Sequence, residues 1–137
     1  MNKAGIMEII DKISALCLQE PTVDAAYVFG SRAKGSTGSE RDLDVALLLN
    51  ETRGSSFFLL SFMSSLERAC ECRADVVILN RAGEILKHEV RRTGRLVFER
   101  ESEKRKQFEV SSRKSYEDFL HLHRKYSEAV LYRKEHG

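Results

Sequence analysis

One stretch of the chain restricts its fold more than any other: Asp42-Leu43-Asp44-Val45-Ala46-Leu47-Leu48-Leu49. Leu43, Val45, Leu47 and Leu49 alternate with Asp44, Ala46 and Leu48, the period-two pattern of a β-strand. The same period puts Asp42 and Asp44 on one face and leaves Leu43 on the other. Two like charges at neighbouring same-face positions repel, and the residues that follow them are apolar. Both carboxylates need a partner, and a bound Mg²⁺ supplies one directly, because hard cations take oxygen ligands.

The remaining elements are read from periodicity and punctuation. Ile6, Ile9, Ile10, Ile13, Leu16 and Cys17 form a 3.6-period stripe, so a helix is expected over 6–18, ended before Pro21. Ala25 to Phe29 is a short apolar run closed by Gly30 and reads as a buried strand. Residues 31–41 hold Gly35, Gly38 and several hydroxyl side chains, and read as a loop. Gly54-Ser55-Ser56 predicts a turn and an N-cap before a helix from about Phe57 to Glu71. Ala74 to Leu79, rich in β-branched residues, predicts a third strand. A helix over Gly83 to Arg92 and a short edge strand at Leu96 to Phe98 follow. Phe119, Leu122, Tyr126, Ala129 and Val130 mark a long C-terminal helix from about Glu103 to Arg133, with a break expected near Val110-Ser111-Ser112. The order predicts an α/β (α+β) domain with a small mixed sheet flanked by helices. Residues 1–100 form the core and 101–137 a helical extension.

Composition narrows the function classes. A chain of 137 residues is one domain's worth. Its net charge of +2 is too mild for a dedicated nucleic-acid binder. The longest near-apolar run, Phe57 to Met63, is far short of a membrane span. The opening residues lead into Glu8, Asp11 and Lys12, which does not fit a secretory signal, so a cytoplasmic location is expected. Three cysteines cannot all pair, and free thiols are expected. His121 and His123 lie two apart, whereas a helical zinc pair would use i,i+4.

The loop after the first strand begins Gly30-Ser31-Arg32-Ala33-Lys34-Gly35-Ser36-Thr37. Its glycines match those of a P-loop, but Ser36 stands where the phosphate-reaching lysine belongs, so a true P-loop is excluded. Gly30 still frees the backbone for close approach, and Ser31 can cap a turn whose N–H groups face an anion. Arg32 and Lys34 add positive charge. A third carboxylate, Asp75, opens the third strand in a segment otherwise suited to the core. If that strand lies beside the second, Asp75 completes a cluster with Asp42 and Asp44.

These features resemble the minimal nucleotidyltransferases of the polymerase β-like superfamily. Their signature is Gly-Ser, ten residues, then Asp-x-Asp; here Gly30-Ser31 is followed by the ten residues Arg32 to Arg41 and then Asp42-Leu43-Asp44. Arg41 departs from the serine common before the first aspartate. The resemblance implies that Asp42, Asp44 and Asp75 bind two Mg²⁺ ions and catalyse transfer, Asp75 also helping to deprotonate an acceptor hydroxyl. It implies that Gly30, Ser31, Arg32 and Lys34 hold the phosphates of ATP.

Short members of this family resemble antitoxins paired with HEPN-domain ribonuclease toxins, whose tyrosine receives AMP from ATP. The resemblance therefore implies a HEPN-type partner, with Tyr116, Phe119, Tyr126 and Tyr132 of the last helix suited to contact it. No membrane and no direct nucleic-acid contact are expected. Two alternatives stand beside this: a small-molecule nucleotidyltransferase of the aminoglycoside-modifying kind, and a non-catalytic binding antitoxin.

Overall fold

The computed structural model describes residues 5–30 and 42–136. Along them run α1 (Ile6–Leu18), β1 (Val23–Phe29), β2 (Leu43–Leu49), α2 (Ser55–Cys70), β3 (Ala74–Ile78), a 3₁₀ turn at Leu79–Arg81, α3 (Glu84–Thr93), β4 (Arg95–Glu99) and α4 (Ser102–His136). The sheet is ordered β3-β2-β1-β4. β1 is antiparallel to both β2 and β4, whereas β2 and β3 run parallel. This is the small mixed sheet expected from the sequence.

Each sheet face carries its own core. On one face, Leu43, Val45, Leu47 and Leu49 join Ala74, Val76 and Ile78 beneath α1 and α2. The two helices meet them with stripes at four-residue spacing, Ile9, Ile13 and Cys17 from α1 and Phe62, Leu66 and Cys70 from α2. On the other face, Ala25, Tyr27, Ala46 and Leu48 pack with Leu79, Val90 and Phe108 beneath α3 and α4. Asp44 belongs to this second face by strand alternation.

Three expectations are corrected. β1 starts at Val23, two residues early, because Asp24 breaks the apolar run yet is buried and accepts a hydrogen bond from Asn50 Nδ2 at 2.9 Å. α2 is capped by Gly54 at φ +70 rather than by a serine side chain, and Ser55 is its first residue. α4 is unbroken through Val110-Ser111-Ser112. Buried Ser112 accepts a hydrogen bond from Arg91 Nε at 3.1 Å, so it locks the helix against α3 instead of ending it.

α4 and α3 run antiparallel, since Arg91 meets Ser112 and the His88 ring stacks on Tyr116 at 3.9 Å. Glu84, the first residue of α3, therefore lies level with about residue 119 of α4. Beyond it Leu122, Tyr126 and Leu131 are exposed on α4. No helix among the described residues is long and apolar enough to cross a membrane.

The first half of α4 is fastened to the sheet by polar contacts. Tyr27 donates its hydroxyl to Glu109 Oε2 at 2.7 Å, and Arg105 bridges Glu99 at 2.8 Å and Glu109 at 3.3 Å. Burial, and then the bond to Glu109, hold the Tyr27 phenol above its ordinary range. A raised folded-state value contributes stability below the unfolded value of about 10, lost as pH climbs above it. Tyr27→Phe is expected to cost about 1–2 kcal/mol near neutral pH. It should also make the fall in stability above about pH 10 shallower, measured by urea unfolding across a pH series.

Candidate active site

The parallel register of β2 and β3 fixes the geometry. Leu43 pairs with Ala74 and Asp44 with Asp75, so the two carboxylates are direct cross-strand partners on one face. Asp42 precedes β2 by one residue and shares the face of Asp44 by alternation. Phe29 is the partner of Asp44 on the other side, which brings Gly30, at the end of β1, to the same place. The three carboxylates thus stand where the N-terminal ends of β2 and β3 meet the C-terminal end of β1.

Gly30 has a structural reason to be glycine. Its φ of +75 is left-handed, and a Cβ built there would stand 2.5 Å from Asp44 Oδ2. Any side chain would be strained and would push the Asp44 carboxylate away.

Asp44 is half-buried, and its carboxyl is held above the usual range by burial first, then by the charges of Asp75 and Asp42. The predicted repulsion is therefore present at Asp44, which forms no ion pair with a cationic side chain among the described residues. As the side chains lie, no three His, Cys, Asp or Glu among the described residues are gathered into one metal-holding group. The donor chemistry nonetheless fits a divalent cation: all oxygen, negatively charged and mutually repelling.

Ser31, Arg32, Lys34 and Arg41 lie outside the described residues. Sequence reading did not single out Arg73, which leads β3 and is exposed. The signal was available in its two-residue spacing from Asp75, which places both on one strand face.

The polymerase beta nucleotidyltransferase family matches residues 11–103, a span that includes Gly30, Asp42, Asp44 and Asp75. The chain belongs to that family. No curated protein matches the sequence. Among solved structures, the chain is similar to an MntA–HepT toxin–antitoxin variant with two Asp→Glu substitutions two positions apart. The TM-score is 0.76 at 20% identity, covering 89% of this chain and 98% of that one. A toxin–antitoxin with AMP-PNP gives 0.76 at 22% identity, over 89% of this chain and 98% of that one. A tri-AMPylated Shewanella oneidensis HEPN toxin in complex with MNT antitoxin gives 0.74 at 20%, over 92% and 98%. These likenesses establish that the nucleotidyltransferase shares their fold along nearly its whole length.

Two substitutions test the site's electrostatics. Asp44→Asn removes one charge from the repelling set and is expected to raise the metal-free Tm by a few degrees. Gly30→Ala is expected to lower stability by about 1–2 kcal/mol, the cost of a left-handed backbone for a residue with a Cβ. Differential scanning calorimetry in EDTA measures both.

Proposed function

We propose that this nucleotidyltransferase is an antitoxin that transfers AMP from ATP to a tyrosine hydroxyl of a HEPN-domain ribonuclease toxin in the cytoplasm, and so silences it. The observation that carries the reading is the Asp44–Asp75 pair, coupled to Asp42 and set against Gly30, in a fold shared with antitoxins of HEPN toxins. One such toxin is tri-AMPylated and one such pair holds AMP-PNP. A further neighbour carries two Asp→Glu substitutions at the spacing of Asp42 and Asp44.

Asp42, Asp44 and Asp75 are the residues that would hold a pair of Mg²⁺ ions, which when bound neutralise the phosphates and the leaving oxygen. The chain's own residues do the rest. The backbone at Gly30, with Ser31, Arg32 and Lys34, holds the phosphates beside β1. Asp75, exposed at the rim, accepts the proton of the incoming phenol. The tyrosine oxygen bonds to the α-phosphorus as the bond to pyrophosphate breaks, and the proton leaves through Asp75 to solvent. Position and charge neutralisation suffice for such a displacement, so no covalent nucleophile is required. A tyrosine suits the acceptor role because its phenol, with an unperturbed pKa of about 10, loses a proton more readily than an alkyl hydroxyl.

The projecting end of α4 supports a helical partner. Leu122, Tyr126 and Leu131 are exposed beyond the start of α3, and a HEPN domain would cover them.

Incubation with Mg-ATP and the HEPN protein encoded beside it, followed by intact-mass measurement, tests the reading. The partner is expected to gain mass in units of AMP, and Asp42→Asn is expected to reduce transfer by at least a hundredfold. Inhibition of the partner without a mass change would favour a masking antitoxin. Transfer to a small aminoglycoside instead would favour the drug-modifying alternative.

A further inference from the structure

We propose that Arg73 positions the acceptor, its guanidinium binding an anionic group next to the reactive hydroxyl. The inference rests on the protein-AMPylation reading above and assigns one residue to the acceptor side of that site.

Strand register locates the residue. The Leu43 N–H donates to the Arg73 carbonyl at 2.9 Å as part of the Leu43–Ala74 pairing, which ties the Arg73 backbone to the start of β2. Arg73 precedes β3 by one residue, as Asp42 precedes β2, at the same end of the parallel pair. Ala74, 2% exposed, turns into the core beneath α1 and α2, so alternation puts Arg73 on the opposite face with Asp75 and Asp44. Arg73 is exposed there, and its guanidinium enters no hydrogen bond or ion pair among the described residues.

Strand order then assigns the side. Gly30 follows β1, Asp42 and Asp44 stand at the start of β2, and Arg73 and Asp75 at the start of β3, in the lateral sequence β3-β2-β1. Adjacent strands are about 4.8 Å apart, so Arg73 lies roughly 10 Å from the strand that leads into Gly30. With the nucleotide's phosphates at Gly30, just past the end of β1, an in-line displacement brings the acceptor from the other side of the carboxylates. That side is β3.

Chemistry names the ligand. Three carboxylates repel an approaching anion, and a guanidinium at their outer edge offsets that repulsion and offers a planar fork to a carboxylate or phosphate. Two sources present such a group: a carboxylate beside the target tyrosine, or the phosphodiester of an AMP already attached. Both fit the same fork.

The test compares the wild-type nucleotidyltransferase with Arg73→Ala and Arg73→Lys, using the HEPN partner in its unmodified and mono-AMPylated forms. For at least one of these acceptors, Arg73→Ala is expected to raise KM about tenfold, the loss of one charged hydrogen-bond pair, while kcat is retained. Arg73→Lys should recover part of the loss, keeping the charge without the fork. Affinity for AMP-PNP, measured by calorimetry, should stay unchanged. A KM rise for the unmodified partner identifies the protein carboxylate, and a rise confined to the mono-AMPylated partner identifies the phosphodiester. Unchanged KM for both acceptors, or weakened AMP-PNP binding, overturns the inference while wild-type transfer upholds the parent reading. A wild-type protein that leaves the partner unmodified refutes the parent reading, and the inference falls with it.

Discussion

The structure turns on two carboxylates that face each other across a parallel strand pair. Asp44 and Asp75 are register partners, and like charges directly opposite one another destabilise a sheet. Asp44 registers the cost as a raised carboxyl pKa, with burial the larger cause and the charges of Asp75 and Asp42 next. An arrangement of this kind persists only where the surrounding structure over-determines it. Here the same strands that carry the charges are held by two hydrophobic cores, one on each face.

That two-sided packing explains how a small chain can hold a repelling site rigidly. Leu43 and Val45 anchor β2 beneath α1 and α2 at the residues flanking Asp44, and Ala74 and Val76 do the same for β3 around Asp75. A slip of one residue in either strand would turn its apolar set off the core, so the hydrophobic pattern fixes the register and the register fixes the carboxylates. Gly30 completes the constraint from β1, since only a residue without a Cβ leaves the Asp44 carboxylate its place. Packing, register and charge placement are thus one argument at three scales.

Much of this was legible in the sequence because it is local. The bounds of α1 and β2 follow from periodicity alone, and the same-face placement of Asp42 and Asp44 from strand alternation. The side-by-side placement of β2 and β3 entered the sequence reading only as a condition, since pairing is a long-range choice. Two of the three misreadings involved polar residues whose partners lie far along the chain. Asp24 reads as a strand breaker until Asn50 is beside it, and Ser112 reads as a helix breaker until Arg91 reaches it. The tether of Tyr27 to Glu109 spans 82 positions, and no local pattern announces it. Arg73 escaped notice for another reason: an exposed arginine before a strand is ordinary until the parallel pairing of β2 and β3 brings it to the same end of the sheet as the carboxylates.

The central claim is that the Asp44–Asp75 pair, with Asp42, is a divalent-cation site. Binding of Mn²⁺ in the presence of AMP-PNP, followed by electron paramagnetic resonance, tests it most directly. Wild-type protein is expected to bind Mn²⁺, and Asp44→Asn and Asp75→Asn are each expected to weaken that binding at least tenfold while the protein remains folded. Equal Mn²⁺ affinity in the wild type and both variants would contradict the account.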